Sequence, residues 1–303
     1  MKPPVGGQAI IEGVMMQNGD RIAVAVRRQA DGEIIVRPLP ARFRFKKLGK
    51  IPFLRGLFRM YDMMSLGLRA LNLSAQIAFP EEEQMGKGGT FATFSVAILV
   101  AIGAFVVLPL YLTNNIPGLQ LGNSIAYALV EGLIRLSFFF VYLWLISRMR
   151  DIRRVFQYHG AEHKVVYTYE ADEPVTVENA RKYTTLHPRC GTAFLMTVFV
   201  IAILVFSLAG SPGFWLRIAS RLVLLPVVAG ISYEILRFSG RNIDRWWVRW
   251  LAQPGLWLQK LTTKEPDEDM IEVAIAALQA VIDQPVRPIA DSIAAEAPTA
   301  ASD

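Results

Sequence analysis

The chain has 303 residues, 53% of them apolar, a formal net charge of +6 and a single cysteine. The length allows one or two domains, and one cysteine excludes an intrachain disulfide. Mean hydropathy is positive, as in a membrane protein. There a basic excess marks cytoplasmic loops and contact with anionic lipid, and no Gly-aromatic pattern or zinc-finger spacing points to nucleic acid.

Residues 1–50 read as a cytoplasmic β-rich module ending in a basic collar. Met1-Lys2-Pro3-Pro4 lacks the apolar core of a cleavable signal peptide. Ala9 to Met16 is an apolar run broken by Glu12-Gly13, and Glu12 is kept as a further candidate site residue. Asn18-Gly19 and Asp31-Gly32 are turn signals around Ile22–Val26 and before Glu33–Val36, so a three-stranded meander is expected. Gly6-Gly7 fits either a flexible loop or a close backbone approach. Residues 41–50 carry five basic side chains interleaved with Phe43 and Phe45, suited to anionic headgroups or to a solvated linker.

Residues 51–90 hold an interfacial helix and a link. Apolar residues from Leu54 to Leu71 recur at helical spacing, while Arg55, Asp62 and Arg69 interrupt them. That pattern predicts a helix over 53–79 lying in the membrane plane. A four-span membrane domain follows over 91–282. Its spans are expected at Phe91–Leu112, Ser124–Ser147, Thr192–Leu208 and Phe214–Leu236. The second carries Glu131 and Arg135 at i,i+4, either a self-neutralising pair or part of a site. Glu234 lies near the inner end of the fourth, where Pro226 and Gly230 are kink candidates. Arg148–Arg154 and Arg237–Arg249 mark one cytoplasmic side, which predicts both termini and the 148–190 loop there. Thr176 is an expected N-cap for a helix through Leu186. Trp246, Trp247, Trp250 and Trp257 suit the headgroup level, residues 267–282 read as a small polar-faced helix, and the tail from 283 as disordered. The fold class is thus a predominantly α membrane protein with about four transmembrane helices, interfacial helices and a small N-terminal β meander.

The chemistry concentrates in the 148–190 loop, which holds all three histidines and the cysteine. His159-Gly160-Ala161-Glu162-His163 is an H-x-x-E-H pattern, and His187-Pro188-Arg189-Cys190 follows. On a helix His159 and His163 share one face with Glu162 beside them. Two imidazoles one turn apart can hold a divalent metal, zinc by ligand type, and a nearby carboxylate can act as general base. His187 and Cys190 are the further ligand candidates; Glu131 or Glu234 would have to approach through space. The alternative is a strand from Val165 to Tyr169, which separates the two histidines and leaves them bonded to interfacial backbone.

Four separated stretches also carry a resemblance: Gly6 to Met16, His159–Lys164, His187–Thr192 and Leu225–Gly230. Together they resemble the YqhQ-like family of uncharacterised bacterial membrane proteins, described as predicted metal-dependent enzymes. The resemblance implies a bacterial inner membrane and a metal site, and supplies no substrate. The leading expectation is a metal-dependent hydrolase acting on a lipid headgroup or a membrane-protein segment. Its rivals are a non-enzymatic scaffold or assembly factor with a structural His/Cys site, and a transporter, which four spans without a repeat fit poorly. Nothing in the sequence fixes the oligomeric state.

Overall fold

The computed structural model describes residues 5–41, 54–80, 87–119, 124–209, 213–242 and 245–282. The basic collar from residue 42 and the tail from 283 lie outside them.

The N-terminal segment forms four antiparallel strands in meander order: β1 (Gly6–Ile10), β2 (Gly13–Asn18), β3 (Arg21–Arg27) and β4 (Ile34–Pro38). The expected three strands become four because the apolar run folds back on itself at Glu12, which adopts φ 50°. A non-glycine residue rarely takes that conformation, so no turn dipeptide announces it. Gly19 and Gly32 provide the other positive-φ turn positions.

The sheet is covered on both faces, and its period of two sorts the side chains. Val14, Met16, Ala23 and Ala25 face a core shared with the two helices α5 (Arg150–Glu170) and α10 (Glu268–Ile282). Met15, Ile22, Val24 and Val26 face Leu66, Ala70 and Ala78 of α1 (Leu54–Ala78). The alanines alternating along β3 thus let helices approach one side closely. Residues 267–282, expected as a polar-faced helix, form α10, which exposes Glu268, Asp269, Glu272 and Gln279 and buries Met270, Ile271, Ala274, Ala277, Leu278 and Val281 in this core. The acidic residues of α10, Glu268, Asp269 and Glu272, lie in its first two turns.

Along α1, the charges that interrupt the apolar pattern have protein partners. Arg55 pairs with Glu234, Arg69 donates to Pro40 O at 3.0 Å, and Asp62 is buried. Met60, Met63, Met64 and Leu68 remain exposed on the other side.

Among the described residues, three helical stretches are long and apolar enough to cross a membrane: Ala92–Asn114, Ile125–Ile146 and Phe214–Gly240. This is a membrane protein. The first stretch joins α2 (Lys87–Ile102), a π-helical turn at Gly103–Val107 and α3 (Leu108–Asn114). The second is α4 (Ser124–Ile146); the last belongs to α8 (Phe214–Arg241), which runs unbroken through Pro226. The expected third span is the shorter α7 (Ala193–Ala209), whose apolar segment covers only Phe194–Leu208. Four long spans are therefore not confirmed. Leu99, Val100, Val223 and Trp215 point outward from the long spans, as lipid-facing side chains do.

The widened turn at Gly103–Val107 leads directly into Pro109, in the first turn of α3. Proline has no N–H, so Phe105 O loses its helical donor four residues on. Arg135 Nε donates to that oxygen at 2.8 Å. Arg135 also pairs with Glu131, whose carboxylate takes two further bonds from Arg221 of α8, at 2.8 and 3.3 Å. The sequence pair Glu131/Arg135 is thus one part of a buried three-residue network binding α4 to α8. Both guanidinium groups also lie over the Phe206 ring.

Candidate functional site

Residues 150–170 are continuous helix, which settles the choice between helix and strand after His163. The helix through Leu186 expected after Thr176 is shorter: α6 (Val177–Arg181) has Thr176 as its N-cap and ends at Arg181. The chain from 182 to 190 then lies along α5 as extended turns, which frees its carbonyls to face the helix. Buried Lys164 is satisfied there by Tyr183 O at 2.8 Å, Arg181 O at 3.2 Å and Glu265 at 2.6 Å.

His159, His163 and Cys190 each offer one ligand atom, and these atoms lie within 4.8 Å of one another. The orientation of the imidazoles follows from their partners. His159 Nδ1 is 2.8 Å from Thr262 O, and His163 Nδ1 is 2.5 Å from Thr185 O. A carbonyl oxygen only accepts, so Nδ1 carries the proton in both rings and each Nε2 holds a lone pair. His159 Nε2 faces Cys190 Sγ at 3.2 Å. His163 Nε2 is buried without a hydrogen-bond partner among the described residues. Burial holds the His163 imidazole below its usual range against the raising influence of Cys190, so the ring is neutral at pH 7.

Two glycines admit the backbone that makes this possible. A Cβ on Gly160 would stand 2.1 Å from Lys264 O. The missing side chain lets residues 262–264 lie on α5, where Lys264 N donates to Phe156 O at 2.9 Å and Thr262 O reaches His159. Gly7 of the Gly6-Gly7 pair is likewise a close approach: its Cβ would lie 2.6 Å from Glu162 Cγ.

Glu162 is buried beside the cluster, with Oε2 3.5 Å from His163 Nε2. Burial pushes its carboxyl above the usual carboxylate range, while His159, His187 and the Gly7 N–H pull it down. A carboxylate oxygen and an imidazole lone pair are both acceptors, so their juxtaposition calls for a proton or a cation between them.

His187 stands next to this group and outside it. Its backbone is gripped by buried Gln259 of α9 (Trp246–Thr262), through N to Oε1 at 2.8 Å and Nε2 to O at 2.9 Å. Cys190 N donates to His187 O at 3.2 Å, closing a turn with Pro188 at its second position and returning the thiol to His159. The His187 ring goes elsewhere. Nδ1 accepts from Arg189 N at 3.3 Å, which leaves Nε2–H 3.4 Å from Glu170 Oε2. Its ring centroid is 5.6 Å from that of His163.

The remaining candidates lie away from the cluster. Glu12 forms a two-pronged pair with Arg154, both bonds at 2.5 Å, and accepts from Gln29 at 2.8 Å, clamping the β1–β2 turn to α5. Glu234 accepts from Arg55 Nε at 2.6 Å. Glu131 and Arg135 belong to the membrane network. Sequence reasoning missed Glu170, Gln259 and the carbonyls of Thr185 and Thr262; a carbonyl has no side-chain signature by which to be found.

A three-ligand N, N, S set with each imidazole anchored through its far N–H to a backbone carbonyl is the donor arrangement zinc-like metals take. One curated relative, "Uncharacterized protein YqhQ" of Bacillus subtilis (strain 168), is 35% identical over 296 residues, covering 92% of each chain. No solved structure matches. A family model described as "Protein of unknown function (DUF1385)" matches residues 51–284, so the chain belongs to the DUF1385 family.

Proposed function

We propose that this protein is a metal-dependent hydrolase of the bacterial cytoplasmic membrane, with a zinc-like metal held by His159, His163 and Cys190 and with Glu162 as general base. The observation that carries the reading is the pair of anchored imidazoles, whose lone pairs converge with a thiol while one of them, buried His163 Nε2, has no hydrogen-bond partner among the described residues. A bound metal would supply Lewis acidity to a carbonyl or phosphoryl oxygen of a membrane-associated substrate. Three ligands leave a position open, which favours a catalytic over a closed structural site. Glu162 lies close enough to take up and return a proton. In the rival scaffold reading the same residues only staple the 182–190 segment to α5. Protein purified without chelator should carry about one metal per chain, and Glu162→Gln should keep it, since a general base is not a ligand. Metal-free protein that takes up no zinc on titration would end this reading.

Positioning also favours a site at the membrane edge. Trp246, Trp250 and Trp257 fall on one exposed face of α9, suited to the headgroup level. The opposite face carries buried Gln259 and Thr262, which hold His187 and His159. The helix that meets the bilayer is thus the one that orients the site.

The packing bears on topology as well. The sheet, α5 and α10 share one core, so they lie on one side of the membrane, the cytoplasmic side by the Arg148–Arg154 cluster. Crossings between α5 and α10 must then be even in number. Since α8 crosses once, α7 crosses too, despite spanning only about 26 Å at 1.5 Å per residue. Reporter fusions placed in 113–123 and in 170–180 should report opposite sides; the same side for both would sink this arrangement.

A further inference from the structure

A cavity of about 670 Å³ opens between α1, α7 and α8. Its walls combine apolar side chains, among them Met60, Met63 and Phe194, with Arg55, Arg59 and Arg237. Arg55 is matched by Glu234. Arg59 and Arg237 have no acidic partner among the described residues. Two unmatched cations therefore face a cleft whose other walls are the acid-paired Arg55, Gly191 and apolar or aromatic side chains, a mixture that fits an anionic amphiphile.

The cavity's place in the fold supplies the second argument. Arg237 sits in the last turns of α8, whose apolar stretch is Phe214–Gly240, and Phe194 opens the apolar segment of α7. The cleft thus lies where acyl chains give way to headgroups. Gly191, the residue after Cys190, forms part of the wall, so a molecule seated here reaches the segment that carries the thiol. The volume falls within the usual range of small-molecule pockets.

We propose that this cleft binds one anionic glycerophospholipid, its phosphate between Arg59 and Arg237 and the start of its acyl chains against Met60, Met63 and Phe194. The step from binding to turnover rests on the proposed metal site; binding itself stands on the cleft alone. The two arginines hold a phosphodiester by charge-assisted hydrogen bonds, which a soluble phosphate would also accept. The methionines supply an adaptable apolar surface, which only a lipid would use.

The test uses full-length detergent-purified protein, native mass spectrometry and phosphatidylglycerol as the probe. The parent should retain one phosphatidylglycerol in preference to phosphatidylcholine. Arg59→Gln and Arg237→Gln should each weaken retention roughly fivefold, the effect of one basic residue at a membrane surface. Met63→Trp, which keeps the charge and fills the cleft, should also expel the lipid. Arg148→Gln, a basic residue stacked on Trp144 away from the cleft, should leave retention unchanged. His163→Ala should lose metal and keep lipid, so failure of the metal reading and failure of this one are separable. Equal loss in Arg148→Gln would show a general basic collar and overturn the proposal. Displacement by millimolar inorganic phosphate would make the ligand a soluble anion and overturn it too, as would retention unaffected by the Arg59, Arg237 and Met63 changes.

Discussion

Glu131→Ala should destabilise the protein by roughly 3–5 kcal/mol, the usual cost of removing one partner from a buried ion network. The carboxylate is 1% exposed and is shared by Arg135 of its own helix and Arg221 of α8. Without it two guanidinium groups stay buried among apolar side chains, holding, among the described residues, only the Phe105 carbonyl, a long contact to Phe206 O and the Phe206 ring. Those contacts satisfy a few N–H donors and cancel no charge. Thermal unfolding in detergent should show a lowered midpoint for Glu131→Ala. Replacing Glu131, Arg135 and Arg221 together by apolar residues of similar volume should restore most of the loss, because the unpaired charges go with the carboxylate. A single variant as stable as the parent would mean that water or lipid headgroups reach the network.

Much of this architecture is written locally. Helical periodicity marks α1, the long apolar runs mark α2–α3, α4 and α8, and H-x-x-E-H at helical spacing places two imidazoles and a carboxylate together. What is not local is not legible. Arg221 joins Glu131 across 90 residues, and its position near the outer end of α8 does not announce a partner. Glu12 carries a turn no dipeptide signals. The acidic first turn of α10 hides an apolar face, since composition averages what periodicity separates. Pro109 is the instructive middle case. Its effect on Phe105 O is dictated by chemistry, yet which cation meets that oxygen depends on the packing of α4. The same holds at the site: His187 and Cys190 are equally good ligands by residue type, and only the turn through Pro188 sends one side chain inward and the other toward Glu170.

That difference yields the sharpest test of the ligand set. His163→Ala and Cys190→Ala should each lower zinc affinity by more than the roughly 10–100-fold that loss of an outer partner costs, because each removes a bond to the metal itself. His187→Ala should keep zinc affinity within that outer-partner range. The His187 ring meets Tyr167 edge-on at 4.5 Å, and its Nε2 faces Glu170. Its backbone, through Gln259 and Cys190 N, is what shapes the turn. Alanine keeps that backbone. The loss should appear instead as a lower thermal midpoint, from the cavity left against Tyr167. Metal titration of the three purified variants, with thermal unfolding alongside, separates the roles. If His187→Ala loses zinc as completely as His163→Ala, the imidazole swings into the cluster as a fourth ligand. The site would then be closed and structural, and the scaffold reading would replace the hydrolase.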